Sequence, residues 1–60
     1  MMTVEEKIEI RVAIDDALAF VFKAKMPMCY KALLIVKNSV INNELNYWGA
    51  IASINKILGE

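Results

Sequence analysis

Apolar residues recur along this chain at intervals of three and four, and the pattern is broken by a proline near the middle and by a pair of asparagines after it. That spacing belongs to helices with a face turned inward. Thr3-Val4-Glu5-Glu6 matches a capping box, in which a Thr hydroxyl and a carboxylate three residues later each satisfy a free backbone N–H. A first helix is therefore predicted from Val4 to about Lys25. No Gly or Pro interrupts it, carboxylates crowd its opening turns, and Lys23 and Lys25 lie at its negative end. Pro27 drives Met26 out of helical backbone and suits the first position of a second helix, over about residues 27–41. Asn42-Asn43 are expected to close that helix and cap a third over residues 44–58, with Glu44 in its first turn and Gly59 as the stop. The run Ala32-Leu33-Leu34-Ile35-Val36 also reads as a short buried strand, because periodicity alone does not separate the two. No repeat, linker or low-complexity tract divides the chain, so residues 1–60 read as one helical domain.

Winding each segment at 3.6 residues per turn sorts the apolar positions into faces. In the first helix Ile10, Ala13, Ile14, Ala17, Phe20, Val21 and Ala24 form a broad core face. Ile8, Val12, Ala19 and Phe22 form a second stripe, set off by Glu5, Glu9, Asp16 and Lys23 on one edge and Lys7, Arg11 and Lys25 on the other. The second helix is apolar nearly all round, with only Lys31 and Asn38 as a polar seam, and is expected to be the central, most buried element. In the third, Tyr47, Ala50, Ile51, Ile54, Ile57 and Leu58 make one face, and Leu45, Trp48 and Ala52 a smaller one. Trp48 has two readings: with Tyr47, a plug at the bundle end near Asn42-Asn43, or an anchor between subunits or into a partner, since Trp and Tyr dominate interface hot spots. Met26 and Met28 flank the corner and are expected to fill the core.

Composition turns the second faces into an argument about assembly. Apolar residues make up 58% of the 60 residues, above the roughly 45–50% of ordinary globular chains. A domain this short buries only about 60% of the surface its unfolded chain exposes. The expected fold is therefore all-α, a compact bundle of three helices per chain and an obligate homo-oligomer, a dimer or higher. Ile8, Val12, Phe22, Leu45, Trp48 and Ala52 are the expected oligomer interface. Other staples are missing: one cysteine, Cys29, forms no internal disulfide, and with no histidine there is no ordinary zinc site. The longest stretch without a formal charge, Leu45 to Asn55, falls short of the roughly 20 residues of a membrane span. The N-terminus opens with carboxylates, unlike a signal peptide, so a cytoplasmic location is expected.

Charge and chemistry narrow the function classes. Without histidine, Cys29 has no imidazole partner, and catalysis by a nucleophile and base in mutual reach has no candidates. An enzyme is not expected, and neither is a cofactor or a metal. Glu5, Glu9 and Asp16 share one side of the first helix, a hard-oxygen arrangement that reads more simply as a solvated stripe. The net charge is zero, yet residues 1–22 carry −3 and residues 23–60 carry +3. Lys23, Lys25, Lys31 and Lys37 bracket the first corner, where a phosphate would also meet a helix N-terminus. Nucleic acid is not the expected partner, since strong binders display a basic stripe with arginine readers. Opposite charges on the two halves are better assigned to pairing between helices or subunits.

The expected function is that of a small non-catalytic protein that self-associates and binds another macromolecule, most simply a protein, to regulate or inhibit it. Its economy of size fits a phage- or mobile-element-encoded antagonist of a host protein. The alternative is an oligomer that binds or sequesters a nucleotide-like anion between subunits, with Lys23, Lys25, Tyr30 and Lys31 as contacts. Weak nucleic-acid binding stands third.

Overall fold

In the computed structural model, which describes residues 2–59, three helices follow one another: α1 (Val4–Lys23), α2 (Pro27–Ile41) and α3 (Tyr47–Ile57). The capping box at the start of α1 is formed. The Glu6 backbone N–H donates to Thr3 Oγ1 at 3.1 Å, and the Thr3 N–H donates to Glu6 Oε1 at 3.0 Å. No strand occurs among the described residues, and Ala32–Val36 lie inside α2.

The ends of α1 and α2 share one device. Lys25 and Asn43 take left-handed backbone, with φ of 57° and 59°. At the first corner the Lys25 N–H bonds the Phe22 carbonyl and the Met26 N–H bonds the Val21 carbonyl. At the second, Asn43 bonds Val40 and Glu44 bonds Ser39. These paired bonds satisfy carbonyls that a helix end leaves free. Helix α1 thus stops at Lys23, two residues before the predicted end, because Lys25 is spent on the reversal.

The third helix begins at Tyr47, three residues later than the spacing predicts. Asn42-Asn43 do not cap it; Asn46 does, its Oδ1 accepting the Gly49 N–H at 2.7 Å. Residues 44–46 form a short connection instead of an opening turn. Gly49 suits this cap, because a Cβ there would stand 2.9 Å from Asn46 Oδ1.

The core is drawn from all three helices. Ile10, Ile14, Ala17 and Val21 of α1 meet Leu33, Val36 and Val40 of α2 and Ala50 and Ile54 of α3, and Met2 closes the bundle end. Half-buried Ala13, Leu18, Cys29, Tyr30, Leu45, Tyr47, Ile51, Ile57 and Leu58 pack around it. Polar contacts fix the order of the layers. Lys37 of α2 pairs with Asp15 of α1 at 3.3 Å, and the Tyr47 hydroxyl reaches Glu9 at 2.8 Å. The Cys29 thiol lies 3.6 Å from the Ile57 carbonyl. Helix α2 therefore runs back along α1, and α3 returns with its start near the first half of α1.

Several expected core positions lie outside. Phe20 and Ala24 are exposed, because the buried arc of α1 is narrower than its apolar arc and centres on Ile10, Ile14 and Val21. Helix α2 is not enclosed either: it touches its neighbours along Leu33, Val36 and Val40 and leaves Met28, Leu34, Ile35 and Ile41 exposed. Met26 and Met28 do not fill the core. With three helices, no element can be surrounded on every side. No helix among the described residues is long and apolar enough to cross a membrane.

Candidate functional site

The outer face of the α1–α2 layer carries exposed apolar side chains interrupted midway by an ion pair. Val4 and Ile8 lie one turn apart on α1, and with Lys7, Arg11, Val40 and Ile41 they line a groove of about 280 Å³. Buried Val40 forms its floor, whereas Val4, Ile8 and Ile41 are more than half exposed. Val12 continues the stripe a turn further on, at 54% exposure. The ammonium of Lys37 bonds Asp15 beyond Val12, so the ion pair bridges the two helices midway along this face.

At the far end, the α1–α2 corner opens a larger cleft of about 580 Å³, lined by Val21, Phe22, Lys25, Met26, Pro27, Tyr30 and Lys31. Its shape follows from the backbone. The left-handed turn at Lys25 reverses the chain, and Pro27 starts α2 without an N–H to satisfy. Phe22 and Tyr30 then meet across the corner with ring centroids 6.2 Å apart and planes tilted by 54°. The result is an apolar floor with two lysines on its walls.

A third exposed feature stands on α3. The indole of Trp48 is 74% exposed and packs edge-on against Tyr47, with centroids 5.1 Å apart and planes at 87°. Tyr47 is itself held by its hydroxyl on Glu9. That hydrogen bond, then partial burial and the nearby charges of Glu9 and Glu6, raise the Tyr47 phenol above its ordinary pKa. Trp48 thus points outward from a fixed base, which excludes the plug at the bundle end.

The structure gathers some of the sequence-predicted residues and separates others. Phe22, Lys25, Tyr30 and Lys31 converge on the corner cleft, while Lys23 is not among its lining residues. Lys37 is engaged by Asp15. Ile8 and Val12 share the outer face of α1, whereas Trp48 and Ala52 are exposed on α3. Leu45 precedes α3 and packs, half-buried, against the core, since the helix starts too late to carry it. Among the described residues, no three carboxylates or thiols converge as a metal site, and Glu9 of the acidic stripe is bound to Tyr47. Cys29 is half-buried beside Ile57.

Sequence reasoning missed Val4, Ile41 and Met2. Val4 stands four residues before Ile8 and belonged to the same stripe by spacing alone. An apolar residue just before a capping box, as Met2 is, commonly folds back onto its helix. Ile41 joins the groove only because α2 runs antiparallel beside α1, which no local pattern announces. No protein-family model, no curated protein and no solved structure matches this chain.

Proposed function

We propose that this protein is a non-catalytic interaction module that self-associates and, in that form, binds another macromolecule to regulate or inhibit it. One observation carries the reading: among the described residues eleven large apolar side chains are exposed, against ten apolar residues in the buried core. Scattered apolar residues are normal on a surface. Here they are organised, with Val4, Ile8, Val12 and Phe22 on one helix face and Ile41 beside them. Contiguous apolar patches of this kind mark interaction sites. Trp48 supplies a second, separate anchor of the type that dominates hot spots.

Sedimentation equilibrium at micromolar concentration tests the first half, and a folded species of single-chain mass would refute it. Capture from the source cell with the wild-type protein and with Trp48→Ala tests the second. A specific polypeptide retained by the former and lost by the latter supports an α3-centred partner site; recovery of the chain alone counts against it.

The corner cleft favours a second reading, binding of a small anion with an apolar body, in which Lys25 and Lys31 meet the charge and Phe22 and Tyr30 the body. A ligand that prefers the folded state raises the melting temperature. Nucleotides and aromatic phosphates are the probes, and Lys25→Ala with Lys31→Ala is expected to remove the shift.

A further inference from the structure

We infer that the corner cleft takes a single-chain amphiphile, an anion whose body is hydrocarbon, and that it discriminates against nucleotides. The inference rests on the small-anion reading above and narrows it to one ligand class, of which an alkyl carboxylate is the simplest member. Charge selects the head of the ligand. From Ala17 to Asn43 the sequence carries Lys23, Lys25, Lys31 and Lys37 and no carboxylate. Lys37 is engaged by Asp15, the one ion pair among the described residues. Lys25 and Lys31, both exposed, therefore line the cleft with no ionic partner among those residues. Two uncompensated cations on one cleft attract an anion and repel a cation.

The walls select the body. Besides the two ammonium groups, the Tyr30 hydroxyl is the one polar side-chain group among the described lining residues. The backbone of the turn adds no free donor. The N–H groups of Lys25 and Met26 bond the carbonyls of Phe22 and Val21, that of Tyr30 bonds Met26, and Pro27 has none. A nucleobase is polar along most of its edge, and its groups would lose water here without gaining partners. Nor is there a slot for stacking. The rings of Phe22 and Tyr30 are tilted by 54° with centroids 6.2 Å apart, so a flat ring does not lie parallel to both. An alkyl chain needs neither hydrogen-bond partners nor parallel faces, and it bends to follow Val21, Met26 and Pro27. Met26, unbranched and only partly exposed, adapts to such a chain. The cleft volume of about 580 Å³ falls within the roughly 300–1,000 Å³ of small-molecule sites.

Calorimetric titration of the full chain tests this, with hexanoate, octanoate and decanoate below their micelle concentrations, octanol as the uncharged control and adenosine monophosphate as the nucleotide. Affinity is expected to rise about fourfold for each methylene enclosed. Octanoate is expected to bind about tenfold more tightly than octanol or the nucleotide. Lys25→Ala with Lys31→Ala, checked for helicity by circular dichroism, is expected to remove the advantage of octanoate over octanol and to leave octanol binding unchanged. A nucleotide bound as tightly as octanoate overturns the narrowing and leaves the small-anion reading standing. Octanoate no tighter than octanol on the wild type shows that the charge plays no part and overturns the inference. Binding of none of these probes overturns both. Lysine-dependent cosedimentation with phosphatidylglycerol–phosphatidylcholine vesicles, without octanoate binding, moves the same chemistry to a bilayer headgroup and overturns the free ligand.

Discussion

The Tyr47 hydroxyl donates to Glu9 at 2.8 Å, tying the first turn of α3 to α1 across 38 positions of the chain. This bond needs the phenol protonated, and it holds the Tyr47 pKa above the ordinary value of about 10. The folded state therefore binds this proton more tightly than the unfolded chain does. Its contribution is complete below the unfolded pKa and is lost as pH rises through the folded one. Melting temperatures of the wild type and Tyr47→Phe, measured from neutral pH to beyond the phenol range, are expected to converge at the alkaline end. A gap between them that does not change with pH would show that the bond contributes nothing to that stability.

Lys25 occupies left-handed backbone that favours glycine, and its N–H and that of Met26 close the end of α1. Lys25→Gly is expected to stabilise the fold by about 0.5–1 kcal/mol, since a side chain at positive φ carries a cost that glycine lacks. Urea denaturation reads the difference. A loss of stability would mean that the lysine side chain contributes more than its backbone costs.

The cap of α3 separates two asparagines that look alike in sequence. Asn46→Ala removes the acceptor of the Gly49 N–H and is expected to cost about 1 kcal/mol. Asn42→Ala removes no side-chain bond and is expected to change stability by less than about 0.5 kcal/mol. Equal losses in thermal or denaturant unfolding would contradict the late start of α3.

Leu33 and Phe20 make a similar contrast between enclosed and outward positions. Leu33 is fully enclosed, and Leu33→Ala is expected to cost about 2–5 kcal/mol. That is comparable to the roughly 3–5 kcal/mol that a single core of this size supplies, so the variant is expected to be largely unfolded by circular dichroism. Phe20 is 62% exposed and lies off the α1 stripe of Val4, Ile8, Val12 and Phe22. Phe20→Ala is expected to leave both stability and dimerisation nearly unchanged, and unfolding of this variant would show that Phe20 is buried in the assembly.

Local chemistry made much of the architecture legible from the sequence alone. The capping box at Thr3 and Glu6, the break before Pro27, the helical span of α2 and the inward face of α3 depend on residues within a turn or two of each other. Periodicity likewise identifies Ile10, Ile14, Ala17 and Val21, because they repeat on one side of an uninterrupted helix. The excess of apolar residues over what so short a chain can enclose is a property of composition.

Tertiary structure decided which apolar arcs are used. A helix that is oily over most of its circumference has no local signal for the part that will be covered, so Phe20, Ala24 and Met28 looked as inward as Ile14. The direction of α2 beside α1 brought Phe22, Lys25, Tyr30 and Lys31 into one cleft and Ile41 beside Ile8. The choice of Asn46 over Asn42-Asn43 as the cap depends on Asn43 being consumed in the turn that ends α2, and on Leu45 being drawn toward the core. Each outcome follows from two segments distant in sequence competing for the same space, and a reading confined to neighbours along the chain has no access to that competition.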